Sequence, residues 1–131
     1  MVRQHSGVIL MLTATPARGA PGAAAIGATL GAMESLLRCL AAELGPAGVR
    51  VTGIRSGGLV ETRTIQQTLE NIAKATGATL EQVTANFEQR TLLKPAATLL
   101  DTAKLAAFLA SDRARPLTGA IVNASSGALL D

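Results

Sequence analysis

The sequence predicts an α/β domain: a parallel sheet of about three strands, with a long crossover helix, a helical flap and a last packing helix. Three observations lead there. The stretch from Gly22 to Pro46, GAAAIGATLGAMESLLRCLAAELGP, reads as one long helix. Its apolar residues Leu30, Met33, Leu36, Leu37, Leu40, Ala41 and Leu44 recur at helical spacing, while Glu34, Arg38 and Glu43 give it a wetter side. The runs SGVILMLTA before it and VRVTGI after it are short, apolar and rich in branched residues, as strands covered on both faces are. With the break Gly45-Pro46-Ala47-Gly48 between helix and second strand, the order is that of a right-handed parallel crossover.

Taken in order, Met1 to Ser6 is a loose lead-in and Gly7 to Thr13 the first strand. The segment from Thr15 to Gly22 is a loop by composition. Gly22, Gly27 and Gly31, with alanines between them, let another backbone approach the first turns of the long helix; a sheet strand is the simplest candidate. Val49 to Ile54 forms the second strand, broken sharply at Arg55-Ser56-Gly57-Gly58, and ligands of open parallel sheets sit after such strand ends. Ile65 to Thr76 and Thr79 to Arg90 read as two polar-faced helices parted by Gly77, with sparse apolar positions such as Leu69, Val83 and Phe87. That pattern suits a flap over a cleft better than a layer of the sheet core. Thr79 with Gln82 is a capping box for the second of them, and Thr98 with Asp101 is another for a helix over Leu99 to Ala110. Leu105, Phe108 and Leu109 of that helix face the core. The turn Pro116-Leu117-Thr118-Gly119 leads into a last strand, Ala120 to Asn123, then the loop Ser125-Ser126-Gly127 and a tail from Ala128 to Asp131.

Composition narrows the chemistry. A chain of 131 residues has room for one compact domain, and 48% hydrophobic residues suffice for a core built from Ala, Leu, Val and Ile. It contains no Trp and no Tyr, so no phenolic proton donor is available. The net charge of +3 is modest and the basic residues are scattered without interleaved aromatics, which argues against a nucleic-acid partner. The single cysteine, Cys39, reads as a buried, inert thiol, and no internal disulfide can form. The apolar run near the start is shorter than a membrane span and continues naturally as a strand; a soluble, cytoplasmic chain without a membrane partner is expected. His5, the only histidine, sits in the lead-in and reads as locally bonded or disordered, and no His/Cys cluster suggests a metal. Arg55, Arg63 and Arg90 read as surface residues, as do Glu61, Glu70, Glu81 and Glu88.

With these elements in place, the segments AMESLLRCLAAELGPAGVRVTGI, DTAKLAAFLASD and LTGAIVNASSG, in this order and spacing, resemble the C-terminal half of the short-chain dehydrogenase/reductase family. The resemblance covers nearly the whole chain. It implies a partial Rossmann-like sheet and a relation to nicotinamide-dependent oxidoreductases that assemble as dimers or tetramers. In that family a tyrosine and a lysine one helical turn apart supply the proton and hold the cofactor ribose, with a serine or threonine assisting. Counting from Ala32-Met33-Glu34-Ser35, Ile26 falls at the tyrosine position and Leu30 at the lysine position. Neither hydrocarbon can donate a proton or stabilise an alkoxide. Thr13 falls near the serine position and is the one residual catalytic candidate. The family's proline-glycine turn appears as Gly57-Gly58, and the resemblance makes Gly58, Val60 and Thr62 the candidates for cofactor contact.

The family's opening strand, glycine-rich turn and helix find no counterpart: neither Gly53, Gly57 and Gly58 nor GATLG follows that fingerprint. The expectation is therefore one partial domain over residues 1–131, lacking the dinucleotide-binding half and inactive alone, with the outer edge of its first strand left open. A structural or subunit-interaction role follows, in a homo-oligomer or with a complementary chain. The alternative is an oxidoreductase component whose other half comes from a partner. No cofactor is expected for the chain alone, and NAD or NADP only if the fold is completed.

Overall fold

The structure, a computed structural model, describes residues 1–130; Asp131, the end of the expected tail, lies outside the described residues. Three parallel strands lie in the order β1 (Gly7–Ala14), β2 (Val49–Ser56), β3 (Ile121–Ala124). Gly7 pairs with Val49 and the register runs unbroken to Ala14 with Ser56, while Gly53 to Ser56 pair with Ile121 to Ala124. Between β1 and β2 runs the long helix α1 (Ala24–Leu44), followed by a short turn over Gly45–Ala47 that ends on Gly48 at φ +76°. The connection from β2 to β3 carries α2 (Arg63–Thr76), α3 (Leu80–Gln89) and α4 (Leu99–Ala110). The expected elements are all present, and both capping boxes form with their reciprocal bonds.

Strand alternation divides the core between two helices. Ile9, Met11, Val51 and Ile121 face α1, where they pack with Leu37, Leu40, Ala41 and Leu44. Leu10, Ile54 and Val122 face the other way, onto Leu105, Ala106 and Leu109 of α4. As the central strand, β2 is buried almost throughout. β1 is only partly covered: Leu12 remains 56% exposed, and nothing among the described residues pairs with the outer edge of β1. The expectation of cover on both faces of β1 thus holds for Ile9 to Met11 and fails at Leu12. β3 begins one residue later than its composition predicts, although Ala120 just before it already bonds to β2, its carbonyl accepting from the Gly53 amide at 2.9 Å and the Thr52 hydroxyl at 3.0 Å.

Three other expectations are corrected. The lead-in is not loose: Val2–Gln4 form a single turn that His5 ends in a left-handed conformation at φ 49°. What approaches the small residues of α1 is a turn and not a strand. A Cβ on Gly27 would stand 2.8 Å from the Pro16 carbonyl, within the turn Thr15–Arg18 that follows β1. Cys39 is exposed on the solvent side of α1 instead of buried, and so is Leu36, at 51%. Only Glu34, Leu37 and Ala41 of α1 are buried, so a helix with one sheet-facing stripe keeps an apolar outer face. By length and composition alone, Ala24–Ala47 could cross a bilayer, with a mean hydropathy of 1.3. In this fold it is the crossover helix.

Candidate functional site

The carboxyl ends of β1 and β2 meet the first half of α1, and a buried polar cluster sits there. Glu34, expected on the wet side of the helix, is 4% exposed and faces the sheet. Its spacing to Leu37 and Ala41 puts all three on one stripe. Arg55, expected at the surface, is 4% exposed at the end of β2. Its Nε donates to Glu34 Oε1 and its Nη2 to Oε2, both at 2.8 Å, the two-pronged geometry in which guanidinium and carboxylate match best. Thr13, at the end of β1, is 2% exposed and donates its hydroxyl to Glu34 Oε1 at 3.0 Å. Register explains the meeting: Thr13 is paired with Arg55 across the ladder, and both point to the α1 side. The Arg55 guanidinium holds the Glu34 carboxyl below its ordinary value; burial opposes this, and the Thr13 hydroxyl adds to it.

Thr13 therefore stands where the sequence places it, at the strand end, with its hydroxyl engaged as a donor to a carboxylate. Ile26 is 54% exposed and Leu30 half-buried. Neither they nor Thr13 lines the adjacent cleft.

That cleft, of about 470 Å³, opens above the ends of β2 and β3. Gly57 to Glu61 form one wall, Ala124 to Ser126 with Ala128 and Leu129 another, and the segment from Lys94 to Thr98 a third. The C-terminal end of α3 reaches it with Phe87 and Glu88, and Arg90 follows just past the helix, so the flap meets the cleft through α3, while α2 does not line it. Of the three cofactor candidates, Gly58 and Val60 line it and Thr62 does not. The Thr62 hydroxyl and amide instead both donate to the Leu59 carbonyl, at 2.7 and 2.9 Å, closing a tight turn ahead of α2.

Two long-range ties hold the walls, and neither is visible in the sequence. The Ser126 carbonyl accepts from the amides of Leu92 and Leu93 at 2.9 and 3.0 Å, and its hydroxyl accepts from the Ala97 amide at 2.8 Å. Glu61, read as a solvated residue, reaches across the sequence to accept from the Leu99 amide at the start of α4. That amide is one of the unpaired donors every helix start leaves, and a carboxylate suits it. Among the described residues, no group of three or more His, Cys, Asp or Glu is gathered to hold a metal.

Comparison with known proteins agrees with this architecture. The family model described as enoyl-(acyl carrier protein) reductase matches residues 1–128. An enoyl-[acyl-carrier-protein] reductase [NADH] of Synechocystis sp. is 35% identical over 102 residues, which are 78% of this chain and 36% of that protein. Sorbitol-6-phosphate 2-dehydrogenase of Klebsiella pneumoniae is 31% identical over 131 aligned residues, covering 97% of this chain and 49% of the relative. The crystal structure of sorbitol-6-phosphate 2-dehydrogenase from Erwinia amylovora superposes with a TM-score of 0.92 at 25% identity, over all of this chain and 52% of that one. The chain thus spans about a third to a half of the length of the relatives it matches. Sequence family and sheet topology together show that this chain belongs to the enoyl-(acyl carrier protein) reductase family within the short-chain dehydrogenase/reductase superfamily, as its C-terminal, partial Rossmann portion.

Proposed function

We propose that this chain acts as a non-catalytic, structural subunit: it buries apolar surface against another chain and completes a sheet, without hydride transfer of its own. The outer edge of β1 carries this reading. Its backbone groups have no strand beside them among the described residues, and Leu12 on the same strand is 56% exposed. An edge of this kind is a template for strand addition. The outer face of α1, with Ile26 at 54% and Leu36 at 51% exposure, offers a second surface to a homo-oligomer or a complementary chain.

The chemistry supports the same reading. With Ile26 and Leu30 at the tyrosine and lysine positions, the only hydroxyl left to the catalytic group is that of Thr13. It donates to the Glu34 carboxylate, whose proton affinity Arg55 lowers, so the one base within its reach is a weak one.

A second reading is favoured by the cleft: an oxidoreductase component that gains its dinucleotide-binding half from a partner, with Gly58 and Val60 touching NAD or NADP. Thermal unfolding followed by circular dichroism, with and without NAD(H) and NADP(H), tests whether the chain itself retains a cofactor site. A cooperative transition indifferent to every cofactor agrees with the structural subunit. A transition raised by one cofactor overturns it in favour of the second reading.

A further inference from the structure

We propose that Phe87 is a latch that holds the α2–α3 flap shut over the cleft by seating its ring on Gly58. A Cβ built on Gly58 would lie 2.0 Å from Phe87 Cζ, 2.6 Å from Cε1 and 3.1 Å from Cε2, and these three ring atoms are its nearest neighbours. The backbone of Gly58 is outside the left-handed region, unlike that of Gly77 at φ +71° in the flap's own turn. No conformational need therefore calls for glycine at 58; the space its missing side chain leaves is the seat of the ring.

The rest of the flap has little else to hold it. Leu69 of α2 and Val83 of α3 are buried, yet both stand outside the two clusters that pack α1 and α4 on the sheet. Phe87 lies one turn along α3 from Val83, on the same stripe, and reaches the turn after β2 at the cleft wall. A flap with few core contacts opens at lower cost than the sheet unfolds, so a single aromatic seat decides how often it does. Seated, the ring lines the cleft against Gly58. The latch holds whether or not the cleft takes a ligand, so its test is independent of the function proposed above.

The test is amide hydrogen exchange of the full chain in four forms: unaltered, Phe87→Ala, Gly58→Ala and the double variant. Phe87→Ala is expected to speed exchange across residues 63–90 at least about tenfold, leaving β2 and α1 unchanged. Gly58→Ala, whose methyl group collides with the ring, is expected to do the same. In the Phe87→Ala background Gly58→Ala adds nothing, because the ring its methyl group would strike is gone. Unchanged flap exchange in either single variant overturns the latch. So does additivity in the double variant, or a loss of protection that extends equally through β2 and α1.

Discussion

Replacing Glu34 by alanine is expected to destabilise the fold by about 3–5 kcal/mol, far more than a surface ion pair supplies. The size follows from burial and geometry. Glu34 and Arg55 are each 4% exposed, they are joined by two bonds of 2.8 Å, and Thr13 adds a third contact at 3.0 Å. Removing the carboxylate takes the two-pronged acceptor away from the buried Arg55 guanidinium and leaves the buried Thr13 hydroxyl without its acceptor. For a domain of 131 residues, an unfolding entropy of about 0.3 kcal/mol per kelvin converts this to a fall in Tm of roughly 10–18 °C. Urea unfolding followed by far-UV circular dichroism measures it directly. Replacing both partners, as Glu34→Met with Arg55→Met, is expected to recover most of the loss, since apolar side chains of like volume need no counter-charge. A loss below about 1 kcal/mol in Glu34→Ala would refute the reasoning, for the pair would then behave as a solvated one.

The same network predicts acid sensitivity. Because Arg55 first, and Thr13 after it, hold the Glu34 carboxyl below its ordinary value, the folded state binds this proton less readily than the unfolded chain does. The resulting stability is full above the unfolded value of about 4.3 and is lost as pH falls through the lowered native value. Glu34→Gln should flatten that part of the stability–pH curve, and an unchanged curve would sink the assignment. Gly27→Ala tests the approach of α1 to the turn after β1. Helix propensity alone would favour alanine by about 1 kcal/mol, whereas a methyl group 2.8 Å from the Pro16 carbonyl should reverse the sign to a loss of about 1 kcal/mol or more in urea unfolding. Arg50 donates from Nη1 to the Leu109 carbonyl and from Nη2 to the Ser111 carbonyl, both at 2.9 Å, and so closes the C-terminal end of α4. Arg50→Met should cost about 2 kcal/mol by the same measurement, with faster amide exchange concentrated in the last turn of α4.

How much of this was legible in the sequence depends on the range of the interaction. The strands, the four α-helices and the capping boxes at Thr79 and Thr98 were legible because their signals are local: alternation or continuous apolarity, helical spacing, and a cap three residues from its partner. Burial of charge was not. Glu34 and Arg55 lie 21 residues apart and meet only because the β1–α1–β2 crossover folds the helix back over the strand ends. A signal did exist, since Glu34 shares the helical stripe of Leu37 and Ala41, but a carboxylate on such a stripe reads as polar until its partner is placed. Cys39 failed for the reverse reason: small and apolar neighbours made it look interior, while the single sheet-facing stripe of α1 leaves it outside. At the cleft, Gly58 and Val60 were placed by order along the chain. Thr62, whose hydroxyl is turned to its own loop, and the ties from Ser126 and Glu61 depend on contacts between distant segments that no local pattern carries.

The most direct test of the central claim is turnover by the purified, mass-verified chain, assayed as oxidation of NADH and of NADPH in the presence of carbonyl and enoyl substrates. The proposed structural subunit, its Thr13 hydroxyl engaged on Glu34, predicts no rate above the uncatalysed background with either cofactor. Sustained, substrate-dependent oxidation that tracks with the chain through purification would contradict it.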